Sequence, residues 1–156
     1  MSGKKIAIVT GASSGMGREM VYLLADHFAA LEEIWVIARR KDRLEELVGK
    51  VPVSLRILPF DLSDEEDLCM LSGLLKQEQP NVKILVNGAG YGKTGAAGTI
   101  PGALSTGMVR LNDEALVAVT EMVLPYISGN SRIIQFASAA AFMPQPGFAV
   151  YAASKS

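Results

Sequence analysis

Short apolar runs alternate five times along the chain with longer stretches in which apolar residues recur at helical spacing. The runs at 6–10, 34–38, 53–58, 84–87 and 132–137 predict strands. Each is a largely continuous apolar run, which is typical of strands that are buried on both faces. Strands that alternate with helical segments in this way predict a parallel α/β sheet covered by helices.

The stretches between these strands predict four helices, each with an apolar stripe on one face. Ser63 followed by Glu66 has the spacing of a capping box and predicts the start of the third helix. Pro101 is a favourable first-turn residue for the fourth helix. The four stripes are Met16, Met20, Leu23, Leu24 and Phe28; Leu44, Leu47 and Val48; Leu68, Leu71, Leu74 and Leu75; and Leu104, Met108, Leu111, Ala115 and Val119.

Two loops rich in glycine, alanine and proline follow strands, at 87–99 and 139–150. Open α/β sheets bind ligands at the carboxyl ends of their strands, so we expect both loops to border a ligand site. A group of apolar side chains in the second loop predicts a pocket wall that accepts hydrophobic compounds. Its members are Ala140, Phe142, Met143, Pro144 and Phe148.

Composition narrows the function classes. The 156 residues carry a formal net charge of −1 without a long basic tract, which predicts a single domain and no nucleic-acid partner. One cysteine and one histidine leave no internal disulfide and too few ligands for a structural zinc site, so no metal is expected. The N-terminal apolar run is too short for a signal peptide, and no run reaches the roughly 20 apolar residues of a membrane span. We therefore expect a cytoplasmic protein.

A glycine-rich turn lies between the first strand and the first helix. Gly11 permits a tight exit from the strand, Gly15 lets the backbone approach a pyrophosphate, and Gly17 allows the helix to pack closely on the sheet. The N-terminus of the helix then faces the phosphates. An ordinary strand-to-helix turn is the alternative, and the spacing of these glycines differs from the Gly-x-Gly-x-x-Gly fingerprint.

Basic residues follow the second strand, where a carboxylate would bind the ribose 2′-hydroxyl of NAD. They are Arg39, Arg40 and Lys41. A guanidinium suits a 2′-phosphate instead, so Arg39 favours NADP. For Arg40 and Lys41, a solvated helix start is an alternative of almost equal weight.

Tyr151 and Lys155 are four residues apart and share a face if this segment is helical. A nearby ammonium favours the phenolate, so the phenol becomes a usable proton donor and acceptor. Ser138 ends the fifth strand, and its loop can bring both hydroxyls to one carbonyl oxygen. Asn112 lies inside the predicted fourth helix, where asparagine is a mediocre helix former. The plain alternative is a turn hydroxyl for Ser138 and an exposed helix residue for Asn112.

Together these motifs resemble the N-terminal part of a classical short-chain dehydrogenase/reductase. Residues 10–17 match the family's Thr-Gly-x3-Gly-x-Gly motif, and 87–90 match its Asn-Asn-Ala-Gly motif with Gly88 in place of the second Asn. Asp61 matches the family's adenine-binding aspartate. The resemblance implies a cofactor site formed by Thr10, Gly11, Ser13, Ser14, Gly15, Met16, Gly17, Arg39, Arg40, Asp61, Leu62, Asn87, Gly88, Ala89 and Gly90.

The family's catalytic tetrad falls on Asn112, Ser138, Tyr151 and Lys155. The resemblance implies reversible hydride transfer between NADP(H), favoured over NAD(H), and a small alcohol or carbonyl substrate. Tyr151 would exchange the proton, Lys155 would hold the nicotinamide ribose, Ser138 would orient the substrate oxygen and Asn112 would anchor a water in the proton relay. The implied fold is a three-layer Rossmann-type doubly wound parallel sheet of strand order 3-2-1-4-5, in a homo-oligomer (dimer or tetramer).

Family members continue beyond the tyrosine-lysine pair, so the resemblance implies that residues 1–156 form one NAD(P)-binding Rossmann domain that is incomplete at its C-terminus. The alternative function is a truncated, catalytically inactive dinucleotide-binding domain. An S-adenosylmethionine-dependent methyltransferase gives no role to Arg39 or to the tyrosine-lysine pair. A sugar-nucleotide epimerase has a different glycine spacing.

Overall fold

The computed structural model describes residues 3–96, 98–143 and 145–156. Within these residues, five parallel strands form one sheet in the order β3-β2-β1-β4-β5, which confirms the expected α/β class and strand order. The strands are β1 (Lys5–Thr10), β2 (Glu33–Ile37), β3 (Ser54–Leu58), β4 (Asn81–Asn87) and β5 (Ile127–Gln135). Their carboxyl ends meet at one edge of the sheet, where ligands of open α/β folds bind.

Six α-helices connect or follow these strands in the described residues. They are α1 (Gly15–His27), α2 (Lys41–Glu45), α3 (Glu65–Glu78), α4 (Gly102–Val109), α5 (Ala115–Val123) and α6 (Ala149–Ala153). The predicted fourth helix is divided between α4 and α5, because a π-helical segment, Arg110–Glu114, joins the two. Short 3-10 turns, Leu124–Tyr126 and Ala139–Ala141, flank β5.

Alternate residues of each central strand enter opposite apolar layers. Ile6 and Ile8 of β1 face the layer that α3 and α5 cover, whereas Ala7 and Val9 face the layer that α1 and α2 cover. Burial of a side chain such as Leu71 of α3 stabilises the fold by about 1.5–3 kcal/mol. Both faces are therefore apolar, and this explains the continuous runs in the sequence.

The apolar stripe predicted for the first helix is partly wrong. Val21 and Leu24 are buried on α1, whereas Met16, Leu23 and Phe28 are exposed. Gly17 is also buried, because α1 packs so closely at its start that the backbone itself contacts the sheet. Helical spacing predicted one stripe without Val21, and the close approach of α1 at Gly17 instead buries the face that carries Val21.

The start of α3 also differs from the prediction. The N-cap is Asp64 rather than Ser63, and its carboxylate accepts hydrogen bonds from the amides of Glu66 and Asp67. An aspartate cap satisfies free helix amides in the same way as a serine cap, so the predicted helix is present with its start shifted by one residue.

Strand β5 begins earlier and is less buried than predicted. Its register against β4 jumps from the pair Val82–Ile127 to the pair Ile84–Arg132, so three extra residues of β5 bulge out. Asn130 lies in this bulge with a positive φ of 68°. Because β5 has a strand neighbour on one side only in the described sheet, its side chains are half-buried or exposed.

None of the helices in the described ranges combines the length and the apolar character that a membrane crossing requires.

The residues of the pocket wall predicted in the second loop do not share one environment, since Ala140 is buried and Phe142 is 86% exposed. Pro144, which also belongs to that prediction, lies outside the described residues.

Candidate functional site

A cleft of about 290 Å³ lies at the carboxyl ends of β1, β2 and β4. We call it the glycine-rich cleft. It brings together most of the cofactor-site residues that the sequence predicted, from segments that are far apart along the chain. Those that line it are Gly11, Ser13, Ser14, Arg39, Arg40, Asp61, Leu62, Gly88, Ala89 and Gly90.

The turn at the base of this cleft requires glycine at two positions. Gly11 has φ 69° and lies against the carbonyl of Gly88, so a side chain at Gly11 would collide with backbone. Gly17 lies equally close to the carbonyl of Gly11. At Gly15, φ is 56° and the space where a side chain would stand is open. The N-cap of α1, Ser14, makes no capping hydrogen bond with its side chain, so the first amides of α1 are available for an anion.

Thr10 lies behind the cleft rather than in it. Its side chain is buried, and its hydroxyl accepts hydrogen bonds from the amides of Gly88 and Ala89 at 3.0 Å each. Thr10 therefore fixes the loop after β4, and this loop in turn forms one wall of the cleft.

Glycine at position 88 is explained by its contacts. A Cβ atom there would lie 2.7 Å from the carbonyl oxygen of Thr10 and 3.2 Å from the ring of Phe136. An asparagine at this position would force these backbones apart. The neighbouring Asn87 is buried, donates through Nδ2 to the hydroxyl of Thr120 at 2.9 Å and leaves Oδ1 without a partner among the described residues.

The two arginines after β2 have different environments. Arg40 donates to the hydroxyls of Ser13 and Ser14, at 3.1 and 2.9 Å, and so lies over the glycine-rich turn. Arg39 is 66% exposed and lies 3.9 Å from the carboxylate of Asp61. Lys41 pairs with Glu45 on α2, as expected of a solvated helix start.

A second cavity, of about 280 Å³, contains Tyr151 and Lys155. We call it the Tyr151 cavity. Gly88, Gly90 and Tyr91 line this cavity and the glycine-rich cleft alike, so the two adjoin across the loop after β4. Met16 and Phe136 also line the Tyr151 cavity.

Close contacts place the side chains of Tyr151 and Lys155 in this cavity. The ammonium of Lys155 donates to the carbonyl of Phe136 at 3.2 Å and lies beside Gly90. Gly92 lies against the ring of Tyr151, where a Cβ atom would come within 2.8 Å of the ring. Phe148 packs edge-on against the same ring, with 5.7 Å between ring centroids.

Asn112 is only 2% exposed, so its alternative reading as an exposed helix residue is wrong. Its Oδ1 accepts from the amide of Tyr91, and its Nδ2 donates to the carbonyl of Tyr91, both at 3.0 Å. Nδ2 also donates to the hydroxyl of Ser154 at 2.8 Å. Asn112 lies in the π-helical segment, a local widening that is frequent at functional sites.

Ser138 lies at the start of the 3-10 turn after β5. Its hydroxyl accepts from the amide of Ala140 at 3.2 Å, which is the contact of an ordinary turn serine. In the part of the chain that the structure describes, Ser138 is not among the residues that line the Tyr151 cavity. Its role toward a substrate thus stays a prediction.

Sequence analysis missed three residues of this region: Tyr91, Gly92 and Ser154. Gly92 falls within the predicted loop at 87–99, and Ser154 falls inside the tyrosine-lysine motif. Both residues therefore lie in segments that the sequence had already marked as parts of the site. Tyr91 contacts Asn112 through its backbone, and no pattern of side chains reveals such a contact.

The carboxyl group of Asp113 lies near Lys155. Partial burial raises the pKa of Asp113 above its ordinary value of 3.8, and the positive charge of Lys155 partly opposes this shift. Both residues line a separate cavity of about 280 Å³, together with Phe142 and Ser154. The exposed ring of Phe142 therefore borders this other cavity.

Comparison with known proteins decides the family. Residues 5–156 match the family model described as short chain dehydrogenase. The chain belongs to the short-chain dehydrogenase family. The family match confirms the resemblance that the sequence motifs indicated. The Rossmann-like order of the strands agrees with this family.

Three relatives of this short-chain dehydrogenase family member illustrate the similarity. The uncharacterized oxidoreductase YusZ of Bacillus subtilis is 31% identical over 97% of this chain. Sulfoacetaldehyde reductase 2 of Chromohalobacter salexigens is 33% identical over 96% of it. A short-chain dehydrogenase from Sphingobium yanoikuyae, solved in complex with NADPH, matches 97% of it with a TM-score of 0.86 and 27% identity.

The chain spans only part of each relative. It covers 55% of the Bacillus protein, 61% of the Chromohalobacter protein and 60% of the Sphingobium protein.

Proposed function

We propose that the protein is an NADP(H)-dependent oxidoreductase that transfers hydride between nicotinamide and a small alcohol or carbonyl compound. The observation that carries this proposal is the adjacency of the glycine-rich cleft and the Tyr151 cavity, which share Gly88, Gly90 and Tyr91. A cofactor that lies along the cleft would reach the cavity that Tyr151 and Lys155 both line. Family membership and relatives named as oxidoreductases support the same reaction class.

The residues of the cleft fit a dinucleotide. Gly15 leaves open space at the turn, and the amides at the start of α1 suit a pyrophosphate. When bound, the nicotinamide cofactor supplies or accepts the hydride. We assign binding of the phosphates to the turn, and orientation of the cofactor to the loop that Thr10 holds in place.

Two basic groups favour NADP over NAD. The guanidinium of Arg40 lies over Ser13 and Ser14, so one guanidinium and two hydroxyls lie together where they can donate hydrogen bonds to a 2′-phosphate. Arg39 adds a second guanidinium to the same wall. NADPH in the Sphingobium relative supports this preference.

The proposed proton chemistry belongs to the Tyr151 cavity. The phenol of Tyr151 transfers a proton to or from the substrate oxygen, and the ammonium of Lys155 holds the cofactor ribose. Asn112 fixes the loop between the two cavities. We also assign to Asn112 the anchoring of a water in the proton relay. Ser138 orients the substrate oxygen. The expected cytoplasmic location and the homo-oligomer remain predictions.

The test uses the protein as its gene encodes it. Oxidation of NADPH and NADH is followed by absorbance against a panel of aldehydes and ketones, and cofactor binding is followed by fluorescence on the same sample. The expected result is turnover of at least one carbonyl compound, with NADPH preferred. Tight binding of NADPH without turnover of any member would instead favour the inactive dinucleotide-binding domain.

A further inference from the structure

Ser154 lies inside the tyrosine-lysine motif, and the proposed function assigns it no role. Its side chain is buried, with 5% exposure, on the short helical turn that also carries Tyr151 and Lys155. Buried hydroxyl groups are costly unless they are hydrogen bonded, so its partners reveal what this serine does.

Both hydrogen-bonding functions of the Ser154 hydroxyl are used. The oxygen accepts from Nδ2 of Asn112 at 2.8 Å, and the hydroxyl donates to the carbonyl of Tyr151 at 2.9 Å. The amide of Asn112 is bound on its other side to both backbone polar groups of Tyr91. One continuous chain of hydrogen bonds therefore joins the loop after β4, the π-helical segment and α6.

The helix α6 needs such an anchor, because its five residues are too few to form a stable helix alone. Lys155 is held by one hydrogen bond to the carbonyl of Phe136, and Tyr151 is held by ring contacts with Gly92 and Phe148. Neither contact fixes the backbone of α6 relative to Asn112. The hydrogen bonds of Ser154 do so.

We propose that Ser154 is a positioning residue, which holds the turn carrying Tyr151 and Lys155 against Asn112 and so sets the distance of Tyr151 from the substrate and of Lys155 from the cofactor ribose. The inference rests on the proposed function. Ser154 acts only through these neighbours, without contact to substrate or cofactor. A misplacement of about 1 Å in a reacting group can cost about 100-fold in rate, so loss of this anchor affects kcat.

The test compares three variants of the protein as its gene encodes it. Ser154→Ala removes the bridge, and Ser154→Thr keeps a hydroxyl. Ser156→Ala is the matched control, because the Ser156 hydroxyl donates to the carbonyl of Ala152 in the same turn without reaching Asn112. We expect Ser154→Ala to lower kcat about 10- to 100-fold with a much smaller rise in the KM for NADPH, because the glycine-rich turn still binds the phosphates. Ser154→Thr restores much of the rate, and Ser156→Ala is unchanged.

A double-mutant cycle checks the route of the effect. If Ser154 acts through Asn112, Ser154→Ala costs far less in an Asn112→Ala background than in the wild type. Additive losses in kcat would overturn the proposal. So would a kcat of Ser154→Ala within twofold of wild type, or an equal loss in Ser156→Ala.

Amide hydrogen exchange separates this inference from the proposed function. Ser154→Ala should speed exchange in residues 149–155 about 10-fold relative to Ser156→Ala, since a buried hydrogen bond is lost. Unchanged exchange there overturns the positioning role, whether or not the protein turns over a substrate. Turnover absent from the wild type overturns the proposed function alone.

Discussion

The glycine-rich cleft and the Tyr151 cavity adjoin, yet they are built in different ways. The cleft rests on strands that are buried on both faces, and its shape comes from backbone contacts such as that of Gly11 with Gly88. The Tyr151 cavity lies beside the less buried β5 and the short α6, and side-chain hydrogen bonds between distant residues hold it together. The shape of the cleft thus comes mainly from backbone contacts, and the shape of the Tyr151 cavity mainly from side-chain contacts.

Substitutions of tightly packed glycines should have the largest effects, and they distinguish the contribution of the cleft from that of the Tyr151 cavity. In Gly88→Ala, the new Cβ would lie 2.7 Å from the carbonyl oxygen of Thr10. This overpacking should cost about 1–3 kcal/mol of stability and distort the cleft, so NADPH affinity should fall as well. Thermal unfolding and a fluorescence titration measure both effects.

The matched control is Gly73→Ala within α3, where a Cβ would meet open space. Helix propensity predicts a gain of about 0.5–1 kcal/mol for it, with NADPH affinity unchanged. Equal behaviour of the two variants would contradict the tight packing of the loop on Thr10.

Gly92→Ala should act on the other region. Its Cβ would come within 2.8 Å of the Tyr151 ring, and the ring would have to move. We expect kcat to fall about 10- to 100-fold from misplacement of the phenol, with NADPH binding retained. Steady-state kinetics at saturating NADPH checks this. A variant that loses cofactor affinity and keeps its kcat would show that Gly92 serves the cleft instead.

Substitution of the arginines after β2 should have a smaller effect, on the preference for NADPH over NADH. Arg40→Ala removes the guanidinium over Ser13 and Ser14, and should weaken NADPH binding about 10-fold or more while NADH binding hardly changes. Lys41→Ala is the control, since Lys41 pairs with Glu45. Arg39→Asp should shift the preference further toward NADH. An unchanged preference in both arginine variants would contradict the choice of NADP.

Asp113→Asn should have the smallest effect. Burial raises the pKa of Asp113, so the folded state holds this proton more tightly than the unfolded state does. The group therefore favours folding at low pH, and this contribution is lost as the pH rises through the folded pKa. Asp113→Asn should raise Tm slightly at pH 7, and the gain should shrink as the pH falls toward 4. A gain that grows on acidification would contradict the burial of this carboxyl.

The sequence predicts the glycine-rich cleft better than the contacts around the Tyr151 cavity. The cleft follows from local patterns, because Gly11, Gly15 and Gly17 act within one turn and the apolar runs predict the strands that end there. The order of those strands was implied by the family resemblance. The bridge from Asn112 to Ser154 joins residues 42 positions apart, and no spacing rule predicts it. The bulge at Asn130 and the π-helical segment also escaped prediction, since each depends on how neighbouring elements meet.

The measurement that tests the central claim most directly is cofactor binding and turnover of Tyr151→Phe beside the wild type. If the cleft binds and the Tyr151 cavity transfers the proton, the variant binds NADPH as tightly as the wild type and loses turnover by about 100-fold or more. Turnover retained at the wild-type rate would contradict the assignment of proton transfer to Tyr151.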